Sequence, residues 1–218
     1  MLIYCLKIIF CLFLLNELFV KRYFDTKSQY FFLHFMFNMW LCYLVYNETF
    51  FCLLNPLKIF EEDYSQVAIK STIAISSFHV YHIIDKYSIL TTEDWIHHIV
   101  SSIMIPIIGL CNPLGKIISL SNFAMCGLPG GIDYFLLVLV KYNYMNKLTE
   151  KSINRWLNLL IRMPIQMLSC YLIFLNIYHN NLIYNKYIIL GIILHTLNSI
   201  YYCNKVVGNY HVTYDKLK

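Results

Sequence analysis

Four histidines with acidic neighbours are the residues whose spacing suggests chemistry. His79 and His82 lie three apart, and His97 and His98 are adjacent. Glu93 precedes His97 by four residues and Asp94 precedes His98 by four, so on a helix each carboxylate shares a face with its histidine. An imidazole titrates near neutrality and can take a proton from a hydroxyl or amine nucleophile. His97 and His98 are therefore candidate catalytic bases, with Asp94 to orient them. Further along, Asp133 follows the run Gly127-Leu128-Pro129-Gly130-Gly131, and Arg162 stands just before Pro164. An arginine so placed can neutralise a carboxylate, a phosphate or an oxyanion. With His79, these two are candidate substrate-binding residues.

Blander readings of the same residues stand beside these. The histidine pair can be interfacial side chains that only need hydrogen-bond partners. Asp133 and Arg162 can be a buried ion pair holding two helices together. His79-x-x-His82 with His97-His98 resembles a fragment of a di-iron histidine-box enzyme, but such sites use many more histidines, and only His34, His179, His195 and His211 remain. No metal and no cofactor is assigned on this basis. The glycine-rich run lacks the Lys and Ser/Thr of a phosphate loop.

The elements that must position these residues are membrane helices. Of 218 residues, 59% are hydrophobic and 13% charged, with a mean hydropathy of +0.56. Soluble domains run at roughly 45–50% apolar and about 25% charged. That excludes an ordinary soluble globule, a disordered chain and a collagen-like chain. The eight cysteines form no C-x-x-C pair and fall mostly in apolar runs, as small buried hydrophobes do. A spanning helix needs about 20 largely apolar residues. Seven segments meet this, at about 2–20, 30–53, 67–84, 95–113, 117–141, 156–178 and 186–204. The first lacks a small-residue cleavage site and reads as a retained helix rather than a signal peptide.

Lysine and arginine set the orientation. Alternate loops and the C-terminal end hold Lys21, Arg22, Lys27, Lys86, Lys141, Lys147, Lys151, Arg155, Lys205, Lys216 and Lys218. The opposite side holds Lys7, Lys58, Lys70, Lys116 and Lys186. The richer side should be cytoplasmic, with the N-terminus lumenal or exterior and the C-terminus cytosolic. Trp95 and Trp156 then sit at helix starts on the cytoplasmic interface. The four histidines fall in one shallow cytoplasmic layer. The glycine-rich break lies within the membrane, because neither flanking half is long enough to span alone. Such a break is tolerated only where protein covers it or a wet cavity touches it. Asp133 is expected at the start of the second half-helix, where free backbone N–H groups favour a carboxylate. His79, His98, Asp133 and Arg162 are thus expected around one cavity facing the cytosol. The segment 149–158 is expected to begin its helix with a short interfacial turn.

Glu93-Asp94-Trp95-Ile96-His97-His98 opening a helix resembles the signature of the TLC-domain family, the superfamily of ceramide synthases and the translocating-chain-associated membrane protein. Phe78-His79-Val80-Tyr81-His82 with Asp85, Ser121-Asn122-Phe123, the run 127–134 and the run 154–164 fit the same family. The resemblance covers residues 30–205. It implies an endoplasmic-reticulum membrane protein with six helices around a lipid-accepting cavity and one extra N-terminal helix. In ceramide synthases the adjacent histidines lie in the acyl-transfer site, a role that passes by position to His97 and His98. The Ser-Tyr-x-x-Asn and His-Asp-x-x-Asp elements of ceramide synthases are absent, with Asn122 and Asp133 as partial counterparts, so the chain resembles the non-ceramide-synthase branch. Asn122 joins the candidate substrate-binding set on that ground.

The expected fold is an all-α, polytopic transmembrane helical bundle of about seven helices. It divides into an N-terminal helix and loop at 1–29, a TLC-like domain at 30–205 and a cytoplasmic tail at 206–218. The expected function is to bind, sense or modify membrane lipid acyl chains in a cytoplasm-facing cavity. The partner is a membrane lipid, as an acyl chain or acyl-CoA, and not nucleic acid. If the chain is an enzyme, acyl transfer is the reaction. The competing expectation is a non-enzymatic scaffold or channel-like protein whose polar residues only satisfy one another; helices packed without a void near His98 would favour it.

Overall fold

Long apolar runs become long helices here. The computed structural model describes residues 1–61, 64–86, 90–112, 114–179 and 186–216; the side chains of Lys27, Phe60, Glu61, Lys86, Asp94, Ser101 and Ser102 lie outside the description. Every regular element among the described residues is helical. α1 is Leu2–Tyr23, α2 Thr26–Leu54, α3 Gln66–Lys86, α4 92–110, α5 Ile117–Met125, α6 Leu128–Lys141, α7 Lys147–His179 and α8 Lys186–Asp215. A short 3-10 turn at Lys58–Glu61 follows α2. α2 ends just before Asn55-Pro56, because the residue preceding proline is pushed out of helical geometry. The chain turns into α5 through Gly115 at φ 49°, a conformation glycine adopts without steric cost.

Among the described residues, four helical segments are long and apolar enough to cross a membrane: Leu2–Tyr23, Gln66–Asp85, Ile117–Lys141 and Lys147–His179. The protein is therefore all-helical with candidate membrane-spanning helices. α2 and α8, at 29 and 30 residues, are also long enough but carry more polar side chains. Large apolar residues such as Leu6, Phe10 and Phe13 on α1 and Tyr171 and Phe174 on α7 are exposed, as lipid-facing residues are.

α2, α3, α4, α8, α7 and α6 follow one another around the molecule, each touching the next. α5 lies among α2, α3 and α7 and is buried nearly throughout, from Ile117 to Ala124. α1 lies outside against α3, pinned by Asn16 Nδ2 donating to Tyr81 Oη at 2.8 Å. The main apolar core, with Leu33, Phe37, Leu41, Ile75, Phe78 and Phe123, joins α2, α3 and α5.

The glycine-rich run is a break between two half-helices of 9 and 14 residues. At 1.5 Å per residue these are about 14 and 21 Å long, so neither crosses about 30 Å of hydrocarbon alone. Gly127 caps α6, and a Cβ there would lie 2.6 Å from the Phe123 carbonyl oxygen. Gly130 lets α2 approach: a Cβ there would meet Asn38 Nδ2 at 2.7 Å.

Three expectations change. Asp133 does not sit at the start of the second half-helix. α6 begins at Leu128, its first turn holds no acidic residue, and Asp133 lies more than a turn inside. The reason is that Gly127 and Pro129 already supply the break, so the helix starts earlier. Segment 149–158 is not an interfacial turn but continuous with α7, which Asn146 caps by accepting from Leu148 N at 2.7 Å. The helix expected to end near 204 runs on to Asp215. No proline interrupts it, and the Arg155 guanidinium packs 3.9 Å from the Tyr210 ring centre, tying its end to α7.

Candidate functional site

α3 ends and α4 begins at the same end of the bundle, and this brings the histidines together. The His79 ring centre lies 5.2 Å from His98 and 6.1 Å from His97, and the adjacent pair is 5.5 Å apart. His82 stands 5.5 Å from His98. A fifth imidazole, His34 of α2, lies 5.2 Å from His82. His34, His79, His82 and His98 are all buried. Backbone carbonyls fix two of the rings: His34 Nδ1 donates to Tyr30 O and His79 Nδ1 donates to Ile75 O, each at 2.8 Å. A carbonyl only accepts, so Nδ1 carries the proton in both, and Nε2 keeps its lone pair.

A cavity of about 530 Å³ runs along this cluster. His79, His97 and His98 line one wall; Asp133, Arg162 and Gln166 line another; Phe31, Phe37, Phe78 and Tyr202 supply apolar and aromatic surface. Thr26 and Glu93 are exposed where α2 and α4 begin, and the exposed Lys205 of α8 reaches Glu93, so the three form the rim. Lys205 Nζ and Tyr201 Oη both reach Glu93 Oε1, the hydroxyl at 2.6 Å, which ties α8 to α4 across the mouth.

The far wall is organised by α7. Asn154, Asn158, Arg162 and Gln166 recur every four residues and so share one helical face. Asn154 Nδ2 donates to Asp133 Oδ1 at 2.6 Å, Asn158 Nδ2 donates to Asn154 Oδ1 at 2.8 Å, and Arg162 Nη1 donates to Asn158 Oδ1 at 2.9 Å. Among the described residues Arg162 has no carboxylate within ion-pair range, and its Nε is buried without a hydrogen-bond partner. The simple Asp133–Arg162 ion pair is thus replaced by a three-link relay. The backbone widens into a π turn at Asn158–Arg162, and another, Val100–Met104, follows the histidine pair. Such turns recur at functional sites.

Of the residues expected to form a site, His79, His97, His98, Asp133 and Arg162 line this one cavity. Asn122 does not line it. It donates to Ser71 Oγ at 2.9 Å and to Thr72 Oγ1 at 3.0 Å, bracing α5 against α3 beside a smaller cavity with Ser121 and His195. The Asp94 backbone lies in α4, but its side chain is outside the described residues. His34, Tyr30, Asn38, Tyr134 and Tyr202 also line the cavity without having been singled out. For Asn154 and Asn158 the signal was present, as a four-residue period leading to Arg162.

Polar groups that converge on a void of this size, with aromatic walls, are the ordinary features of a small-molecule site. The chemistry on offer is imidazole on one side and a guanidinium on the other. No protein family, curated protein or solved structure matches the chain.

Proposed function

We propose that this chain is a multi-pass membrane protein that holds an anionic amphiphile, a membrane lipid or fatty acyl species, in the cavity between α2, α3, α4, α6, α7 and α8. One observation carries the reading. Arg162 is a partly buried cation with no carboxylate in ion-pair range among the described residues, and it faces a cavity of about 530 Å³ among candidate membrane spans. A charge inside a membrane protein is costly unless paired or solvated. An anionic headgroup at Arg162, with its chain against Phe31, Phe37 and Phe78, supplies the counter-charge and uses the apolar wall. A scaffold whose polar residues only satisfy one another would have no use for a void near His98.

The finer features belong to the same proposal. Seven segments cross the membrane: α4, at 19 residues and about 28 Å, and the longer α2 and α8 join the four apolar spans. The N-terminus is lumenal and the C-terminus cytoplasmic, so the rim formed by Thr26, Glu93 and Lys205 opens on the Lys/Arg-rich cytosolic side. The protein is TLC-like and resides in the endoplasmic reticulum, supported by the histidine-bearing motifs and the succession of six helices around the cavity. Binding needs only residues whose side chains are described. Acyl transfer with His98 or His97 as base also asks for Asp94 as its orienting group.

The test is to purify the protein in mild detergent, extract what comes with it and identify it by mass spectrometry, for the natural chain and for Arg162→Gln. About one anionic amphiphile per natural chain, lost in the variant, is the expected result. Neutral lipid alone, or a lipid content unchanged by Arg162→Gln, would overturn the reading.

A further inference from the structure

The histidine cluster has a use that the amphiphile does not require. His79, His97 and His98 each offer one ring nitrogen, and these three nitrogens lie within 4.8 Å of one another. Three imidazoles binding one ion tetrahedrally, with metal–nitrogen distances of about 2.0–2.1 Å, place their nitrogens about 3.3 Å apart. Small rotations of the rings about χ1 and χ2 close that difference. We propose that His79, His97 and His98 form a mononuclear site for a divalent transition-metal ion, with a fourth position open to the cavity.

Three further observations agree with this. First, His79 is pre-set as a ligand: its Nδ1–H is held by the Ile75 carbonyl at 2.8 Å, which leaves the Nε2 lone pair available. Metal-binding histidines almost always donate their other N–H to such a partner, which fixes tautomer and ring direction. Second, the three come from two elements with local reasons for their positions. His97 and His98 are neighbours in the last turn of Thr92–Ile99, and His79 lies near the end of the antiparallel helix α3. Third, all three line the 530 Å³ cavity, so an ion held by them has open space on one side. Three protein ligands with an open position describe a site that accepts water or an exogenous ligand, rather than a closed structural one.

The donor set selects the metal class. Imidazole suits zinc, copper, iron, nickel and cobalt, whereas magnesium and calcium ask for oxygen ligands. Three histidines are too few for a di-iron centre but sufficient for a single ion. His82, 5.5 Å from His98, flanks the site. The proposal stands on the imidazole geometry and does not depend on the amphiphile.

The experiment uses the full chain in detergent, purified through a tag without histidine and stripped with a chelator. Zn²⁺ binding is measured by equilibrium dialysis with elemental analysis, without added lipid, and Co²⁺ binding by visible absorption. One Zn²⁺ per chain and an intense four- or five-coordinate Co²⁺ spectrum are expected. His97→Ala and His98→Ala should each weaken Zn²⁺ binding at least about tenfold. His211→Ala, at the exposed end of α8, should leave it unchanged. Absence of stoichiometric binding, or binding unaffected by both variants, overturns the proposal. Should the variants fail to fold, the Co²⁺ spectrum of the natural chain still decides, because a weak octahedral spectrum also overturns it. Loss of metal sites with lipid content intact would refute this inference alone; the reverse would refute only the amphiphile.

Discussion

Asp133 and Arg162 face one cavity from α6 and α7 without pairing directly. Asn154 and Asn158 stand between them and connect carboxylate to guanidinium by three hydrogen bonds of 2.6, 2.8 and 2.9 Å. The arrangement holds both charges in place and leaves Arg162 Nε uncommitted. A direct ion pair would have consumed the cation; the relay keeps it available to a ligand.

The relay should carry measurable stability. Asn158 is fully buried and bonded on both sides. Asn158→Leu strands a donor of Arg162 and an acceptor of Asn154, at a cost of about 1–3 kcal/mol. A lowered thermal midpoint in detergent is expected, while the same change at exposed Asn204 does little. Equal midpoints for the two variants would contradict the relay.

Gly127 of the helix break and Gly208 of α8 differ in what they can tolerate. A Cβ at Gly127 would meet backbone, the Phe123 carbonyl oxygen at 2.6 Å, whereas a Cβ at Gly208 meets nothing within 4 Å. Gly127→Ala should cut the yield of folded protein and lower the thermal midpoint. Gly208→Ala should be neutral or slightly stabilising, since alanine is the better helix former by about 1 kcal/mol. Size-exclusion profiles and melting curves of the two variants provide the comparison; the opposite order would contradict the described geometry.

Asn122 separates bracing from binding. Its amide links α5 to Ser71 and Thr72 of α3, away from the main cavity. Asn122→Leu should destabilise by about 1–3 kcal/mol while the folded fraction keeps its bound amphiphile per chain. Loss of the amphiphile from a well-folded Asn122→Leu protein would return this residue to the site.

The mouth is tied by an exposed contact, and exposed ion pairs contribute only about 0–1 kcal/mol. Lys205→Ala removes the link to Glu93 between α8 and α4. Little change in melting is expected, with faster exchange of a fluorescent fatty acid measured by stopped flow. Unchanged exchange would show that the rim does not control entry.

What the sequence revealed, and what it hid, follows from the period of each signal. His97-His98 and His79 could be placed at one end because the short connection between α3 and α4 makes them antiparallel neighbours. Arg162 and Asp133 stood out as rare charges in apolar runs. His34 did not, because it lies in an aromatic-rich helix whose rotation against α3 is a packing outcome and leaves no mark in the chain. Asn154 and Asn158 were hidden differently: a polar stretch before an apolar one reads as an interfacial turn, and only a continuous α7 aligns 154, 158, 162 and 166 on one face. Asn122 was drawn into the site by motif likeness alone, yet its amide points to the hydroxyls of α3.

The central claim is that an anionic acyl chain lies inside the bundle and not merely on its lipid-facing surface. The most direct measurement is photolabelling of the purified protein with a fatty acid carrying a diazirine in its tail, mapped by peptide mass spectrometry. Saturable labelling of Phe31, Phe37, Phe78 or Tyr202, displaced by unlabelled fatty acid and reduced in Arg162→Gln, is the expected result. Labelling confined to outward-facing residues such as Phe10 and Phe174, unsaturable and indifferent to Arg162, would contradict it.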